Sequence, residues 1–148
     1  MTMVISTPPT WNVAAGQRTE PLFRCRGLHA YYGESYLVHG VSFDVAQNEI
    51  MALLGRNGAG KTSTLRTIAR AKAPQLRRGE IWLAGRAVHE MSTHEAARAG
   101  ISLVPEDRRI IPGLTVEENL ILSQIAPTPG WDLDRIYAHF PRLAERRR

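Results

Sequence analysis

The stretch Gly55-Arg56-Asn57-Gly58-Ala59-Gly60-Lys61-Thr62 decides the fold class of this 148-residue chain. It is a complete G-x-x-x-x-G-K-[ST] pattern, in which glycines leave backbone N–H groups open to phosphates, the lysine reaches the β and γ phosphates, and the hydroxyl binds Mg²⁺. The pattern has this meaning where a strand enters it and a helix leaves it. We predict that strand over residues 49–54 and that helix over residues 62–71, so nucleotide binding is favoured over an ordinary glycine-rich turn.

The overall composition fits one domain, or part of one, with a small anionic ligand. The chain is 43% hydrophobic and carries 19 Lys+Arg against 14 Asp+Glu. Its basic residues are spread along the sequence without interleaved aromatics, so we expect no nucleic-acid partner. Cys25 is the only cysteine, which excludes an intrachain disulfide and indicates a packing role. Residues 1–20 hold Pro, Gly, Ser and Thr without an apolar stretch and are expected to be an unpacked leader.

The rest of the chain predicts strands before the glycine-rich stretch and alternating strands and helices after it. Alternating apolar residues indicate antiparallel strands over 22–28 and 36–45, joined by a turn at residues 31–34. The later predicted strands cover residues 79–85 and 101–104. Two helices with capping boxes are predicted, one from Ser92 to Gly100 and one from Thr115 to about Ile125. A further helix is predicted over 132–140, and Pro141 interrupts it. The fold class predicted is α/β, a phosphate-binding-loop NTPase core with an N-terminal antiparallel β subdomain.

A longer stretch of sequence narrows this fold class. It reads Leu103-Val104-Pro105-Glu106-Asp107-Arg108-Arg109-Ile110-Ile111-Pro112-Gly113-Leu114-Thr115-Val116-Glu117-Glu118-Asn119-Leu120. Together with Tyr32 and the loop from Gly55 to Ser63, it resembles an ATP-binding subunit of ABC transporters. Within that superfamily the chain is similar to the smaller ATP-binding subunit of branched-chain amino acid importers. The resemblance covers about residue 21 to the end and implies a partial nucleotide-binding domain over residues 21–148.

The resemblance also implies roles for individual residues. Tyr32 takes the position of the aromatic residue that stacks on adenine, as a ring face can. The alternative is that Tyr31, Tyr32 or both simply cover the β subdomain. The implied ATP contacts are Tyr32, Gly55, Arg56, Asn57, Gly58, Ala59, Gly60, Lys61, Thr62 and Ser63, with Mg²⁺ held by Thr62 and Glu106.

Glu106 stands at the position called the Q-loop, which usually carries a glutamine that touches Mg²⁺ and the attacking water. Its carboxylate can still bind Mg²⁺, although it adds charge beside the γ phosphate. Residues 107–114 would then face the transmembrane permease subunit. A second ATP-binding subunit is the other implied partner, and the expected location is the cytoplasmic face of the plasma membrane, as a peripheral protein.

Parts of the family pattern are missing from the sequence. It contains no Ser-Gly-Gly and no apolar strand that ends in Asp-Glu. We therefore expect a chain truncated before the signature motif and the Walker B strand. Such a chain is expected to bind Mg-ATP weakly and to hydrolyse little or none of it. Two alternatives stay open: a catalytically dead interaction module that docks on a membrane subunit, and a different phosphate-binding-loop NTPase. Residue patterns do not separate leucine from other transported substrates.

Overall fold

The computed structural model describes residues 2–5, 20–107, 109–123 and 131–147, with the backbone alone for residues 2–5. The chain divides into two units, residues 1–104 and 105–148. The elements of the first are β1 (Thr2–Ile5), β2 (Phe23–Tyr32), β3 (Ser35–Val45), α1 (Lys61–Ile68), β4 (Gln75–Leu83), β5 (Arg86–Ala87), α2 (Thr93–Ala99) and β6 (Ile101–Val104). Those of the second are α3 (Val116–Ser123), α4 (Leu133–His139) and α5 (Pro141–Ala144).

A four-stranded antiparallel sheet with the order β3-β2-β4-β5 forms the main layer of the first unit. Helix α1 packs on one face of this sheet, against β2, β3 and β4. The core between them consists mainly of the buried side chains of Phe23, Cys25, Leu28, Ala30, Val38, Ile68, Ile81 and Leu83. The predicted antiparallel pair with a turn after Tyr32 is confirmed, with both strands longer than the alternating pattern indicated.

A β-bulge in β2 changes which residues of this strand face the core. Cys25 pairs with Phe43 and Leu28 with Val41, so β2 carries one extra residue between the two pairs. The buried positions consequently shift from Phe23 and Cys25 to Leu28 and Ala30. Simple alternation cannot show such a change of phase, because a bulge depends on how two strands pair.

The strand expected over residues 49–54 is not formed. In the described part of the chain this segment has no regular secondary structure, and Ile50 and Leu54 are 97% and 91% exposed. A β-strand is stabilised by hydrogen bonds to a neighbouring strand and by burial of its side chains, and this segment has neither here. An apolar run alone therefore predicted the wrong local structure at this position.

The first residues of the chain also differ from the expectation of an unpacked leader. Strand β1 pairs antiparallel with β6, and Thr2 lies opposite Val104 in the register. The strand predicted over 101–104 is thus present, with β1 as its partner. Residues 6–19 lie outside the described residues, and the proposed division at residue 20 stays a prediction.

The helices begin largely where the sequence predicted. Ser92 and Glu95 form the capping box of α2, and Gly100 ends it in a left-handed conformation. Helix α3 starts after Thr115, whose hydroxyl and backbone N–H both donate to the Glu118 carboxylate. The predicted end near Ile125 lies outside the described residues. The helix predicted over 132–140 is present as α4, and Pro141 begins α5.

Candidate nucleotide-binding site

The glycine-rich loop folds into a compact turn directly before α1. Gly58 and Gly60 have φ angles of 82° and 83°, which glycine adopts without the steric cost that a Cβ atom brings. The backbone N–H of Ala59 donates to the Arg56 carbonyl at 3.1 Å and closes the turn. Arg56 and Asn57 lie exposed on the loop.

Lys61 is held across the loop rather than pointing away from it. Its ammonium group donates to the Gly55 carbonyl at 2.7 Å and to the Arg56 carbonyl at 2.9 Å. The positive charge therefore lies beside the first two carbonyls of the glycine-rich loop. An ammonium at this place can pair with a terminal phosphate once it leaves these carbonyls.

The N-terminus of α1 suits an anion. Gly60 is its N-cap, no side chain of the described residues caps it, and its first turn contains no acidic residue. Such a terminus offers backbone N–H groups and a partial positive charge to phosphate oxygens. Helix α1 buries Thr64 and Thr67, whose hydroxyls donate to the Gly60 and Ser63 carbonyls one turn earlier in the same helix.

Gly60 is also in close contact with the β subdomain. A Cβ atom at this position would lie 2.9 Å from the Leu37 carbonyl oxygen of β3. Only glycine allows the loop and β3 to approach this closely, which adds a second reason for glycine here. Motif reasoning missed Leu37 because this contact depends on the tertiary structure.

The two tyrosines before the β2–β3 turn have different surroundings in the structure. Tyr31 stacks on Tyr36, with ring centroids 4.7 Å apart and planes 12° apart, whereas Tyr32 is 60% exposed. Tyr31 therefore covers the β subdomain, as the alternative reading of this pair supposed. Tyr32 presents its ring to solvent, which is what a base-stacking role requires.

The two residues assigned to Mg²⁺ lie in different units, Thr62 in α1 and Glu106 after β6. The structure describes each by itself, so their joint binding of Mg²⁺ stays a prediction. Ser63, the remaining predicted contact, lies in the first turn of α1. Among the described residues no group of three or more His, Cys, Asp or Glu side chains is arranged to hold a metal.

The surface predicted to face a permease lies in the second unit. Ile110, Ile111 and Leu114 are 65%, 47% and 37% exposed. Asn119 of α3 holds this segment in shape: its side-chain oxygen accepts from the Ile111 N–H at 2.8 Å and its amide group donates to the Ile111 and Leu114 carbonyls. The result is an apolar surface on a locally ordered loop.

The comparisons with known proteins identify the family of this chain. Residues 38–147 match the ABC transporter family. This chain belongs to the ABC transporter family. That membership rules out the alternative of an unrelated phosphate-binding-loop NTPase.

Relatives of several importer types match the chain. It is 37% identical over 122 residues to the high-affinity branched-chain amino acid transport ATP-binding protein BraG of Pseudomonas aeruginosa, covering 80% of this chain and 52% of BraG. It is 36% identical to the fructose import ATP-binding protein FrcA of Rhizobium meliloti, covering 75% of this chain and 42% of FrcA. The chain thus spans about half the length of BraG and less of FrcA.

Solved structures show the same fold. An ATP-binding subunit of an ABC transporter superposes with a TM-score of 0.64 at 28% identity, covering 85% of this chain and 52% of the other. A nucleotide-free ATP-binding cassette superposes with a TM-score of 0.59 at 20% identity, covering 84% of this chain and 47% of the other. The predicted fold class is confirmed.

Proposed function

We propose that this chain provides the ATP-binding part of an ABC importer subunit. The observation that carries the proposal is the loop before α1: the Lys61 ammonium is hydrogen-bonded to two carbonyls of the glycine-rich loop, and the helix N-terminus that follows has no acidic residue in its first turn. Gly55 to Gly60 would surround the phosphates with backbone N–H groups, and Lys61 would neutralise the β and γ phosphates. Thr62 and Glu106 would hold Mg²⁺, which supplies charge neutralisation at the phosphates when it is bound.

Tyr32 would bind the adenine ring and Ser63 would add a phosphate contact. The exposed tyrosine ring supports the first role. The base and the phosphates would then be held by two different parts of the first unit, the end of β2 and the start of α1.

Binding of Mg-ATP measured by isothermal titration calorimetry tests this proposal. Lys61→Ala is expected to weaken binding at least about tenfold, because it removes the charge that faces the terminal phosphates. The chain offers a matched control, since Lys72 is its only other lysine and lies exposed outside the loop. A folded wild-type protein that does not bind Mg-ATP, or equal losses in Lys61→Ala and Lys72→Ala, would contradict the proposal.

We further infer that the chain by itself hydrolyses little ATP. The loop would supply positioning and charge neutralisation, but a group that activates water and a clamp from a second ATP-binding subunit supply much of the rate in this kind of phosphoryl transfer. Phosphate release from the purified chain that Lys61→Ala abolishes would show this inference to be wrong.

The transported substrate is proposed to be a branched-chain or related amino acid. Support comes from the similarity to BraG, while the similarity to FrcA favours a sugar importer.

The partner would be a transmembrane permease bound through residues 107–114. Binding to this partner would place the protein at the cytoplasmic face of the membrane. No helix among the described residues is both long and apolar enough to cross a bilayer.

A second candidate function is a non-catalytic module that docks on the permease. The exposed side chains of Ile110, Ile111 and Leu114 favour docking, whether or not the ATP site works. Permease binding that survives Lys61→Ala but is lost in Ile110→Asp/Ile111→Asp would favour this module if the wild-type protein also fails to bind Mg-ATP.

A further inference from the structure

Two bulges lie at the same level on either side of the C-terminal end of β2. On one side Ala30 pairs with Val38 and Tyr31 with Tyr36, so that Leu37 is the extra residue of β3. On the other side His29 pairs with Arg78 and Ala30 with Leu76, so that Arg77 is the extra residue of β4. Bulges of this kind redirect the residue that they insert.

Each extra residue makes a contact that regular pairing would not give. The Leu37 carbonyl reaches the phosphate-binding loop at Gly60. The Arg77 guanidinium lies over the ring of Tyr31, with Cζ 5.3 Å from the ring centroid. Arg77 also forms an ion pair of 3.9 Å with Glu34 of the β2–β3 turn.

These contacts place Tyr31 in a stack that crosses three strands. Arg77 of β4 lies on Tyr31 of β2, Tyr31 stacks on Tyr36 of β3, and Tyr36 contacts the ring of His39 at 3.8 Å between centroids. We call these four residues the Tyr31 stack. Its contacts with Arg77 and Tyr36 hold the Tyr31 ring at the end of β2, where the chain turns.

Tyr32 follows the Tyr31 stack directly and points to the other face of the sheet. Successive side chains of a strand alternate between faces, and β2 has no extra residue between Ala30 and Tyr32. Ala30 is completely buried in the core, so Tyr32 lies on that face, the one that α1 covers. Anything that fixes Tyr31 therefore fixes the backbone that presents Tyr32.

We propose that Arg77 and Tyr31 are positioning residues for the nucleobase, acting from the face of the sheet opposite to it by holding Tyr32 in place. This inference rests on the proposed function and assigns a role to residues that would not touch the nucleotide. The Arg77 guanidinium lies on the Tyr31 ring and holds it at the end of β2, while the Leu37 carbonyl of the neighbouring strand lies close to Gly60 of the phosphate loop. Preorganisation of this kind increases affinity because less freedom is lost on binding.

The test compares two probes, Mg-ATP and Mg-tripolyphosphate, which differ in the base and sugar. We expect Arg77→Ala to weaken Mg-ATP binding by about three- to fivefold, the size of an exposed cation–π contact, with tripolyphosphate binding unchanged. Arg78→Ala is the matched control, since it removes an equal exposed charge from the next residue of β4 and should affect both probes equally. Arg77→Lys, which keeps the charge, should restore most of the Mg-ATP affinity.

A double-mutant cycle with Tyr32→Ala decides whether Arg77 acts through Tyr32. In a Tyr32→Ala background, Arg77→Ala should cause no further loss of Mg-ATP affinity. Additive losses, or equal losses for both probes, would overturn the inference while leaving the phosphate site intact. A wild-type protein that binds neither probe would overturn the proposed function and this inference together.

Discussion

At the scale of single residues, what a side chain can bind depends on its contacts and exposure in the folded chain, which the sequence does not show. Lys61 was identified from its motif, but its contacts with the Gly55 and Arg56 carbonyls are seen only in the folded loop. Tyr31 and Tyr32 are chemically identical neighbours, and only the alternation of β2 and the Tyr31 stack show which one is exposed.

Cys25 provides a prediction at this scale. It is fully buried, and burial raises the pKa of its thiol to about 11 from an ordinary value of 9.0. Because the thiolate is the reactive form, we expect native Cys25 to react with Ellman's reagent at pH 8 at least about a hundredfold more slowly than an exposed thiol. The rate should become normal in denaturant.

Ser102→Cys supplies the reference thiol in the same molecule, because Ser102 is exposed on β6. The variant should show one fast and one slow thiol. Two fast thiols in the native protein would mean that Cys25 is accessible.

At the scale of elements, short sequence patterns predicted the structure correctly where the hydrogen bonds that form it join residues close in sequence. Both capping boxes were predicted from four residues each, and both are formed by hydrogen bonds within those residues. The strand predicted over residues 49–54 was wrong, because a strand needs a partner from a distant part of the chain.

The close contact between β4 and the β2 bulge predicts that alanine substitutions at two glycines lower the free energy of unfolding by clearly different amounts. A Cβ atom at Gly79 would lie 2.4 Å from the Gly27 carbonyl oxygen, whereas one at Gly85 would meet nothing within 4 Å. Both glycines have positive φ, 110° and 74°, so both alanine variants carry backbone strain of about 1–2 kcal/mol. Gly79→Ala should cost clearly more, since it also forces β4 away from β2.

Urea unfolding of the two variants measures this difference. Equal losses in the free energy of unfolding for Gly79→Ala and Gly85→Ala would mean that the two strands are not in close contact at Gly27.

The α2 capping box predicts an effect of pH. Hydrogen bonds from the Ser92 hydroxyl and backbone N–H lower the pKa of Glu95 from its ordinary value of 4.5. A lowered pKa means that the carboxylate stabilises the folded state fully above about pH 4.5, and that this stabilisation is lost as the pH falls through the folded value. Ser92→Ala should destabilise the protein by about 1 kcal/mol at pH 7.

Thermal unfolding between pH 3 and pH 7 checks both statements. The difference between wild type and Ser92→Ala should shrink at the acidic end. Ser102→Ala is the control for loss of an exposed serine hydroxyl outside a cap, and it should stay within about 0.5 kcal/mol of wild type. A Ser92→Ala effect that is constant across this pH range would argue against the Glu95 carboxylate.

At the scale of the whole molecule, the apolar segment before the phosphate loop stands out. Ile50 and Leu54 are 97% and 91% exposed, whereas Ile81 in β4 is fully buried. We expect Ile50→Gln/Leu54→Gln to change the free energy of unfolding by less than about 0.5 kcal/mol and to reduce self-association. Ile81→Ala should cost about 2–5 kcal/mol, because it leaves a cavity in the core.

Sedimentation velocity at several protein concentrations, together with urea unfolding, tests this contrast. If the free energy of unfolding of the Ile50→Gln/Leu54→Gln variant falls by several kcal/mol, these side chains are buried in solution and the segment takes part in the core.

The sequence by itself determined the family, the fold class, the phosphate loop, both capping boxes and the antiparallel β2–β3 pair. These depend on residues that are close along the chain, so the relevant hydrogen bonds and turns can be predicted from short patterns. Only the tertiary structure decided the phase change in β2, the pairing of β6 with β1, the irregular segment before the loop, and the contacts of Leu37 and Arg77. Each of these depends on which strands meet and in what register, and that is set by packing between residues far apart in the sequence.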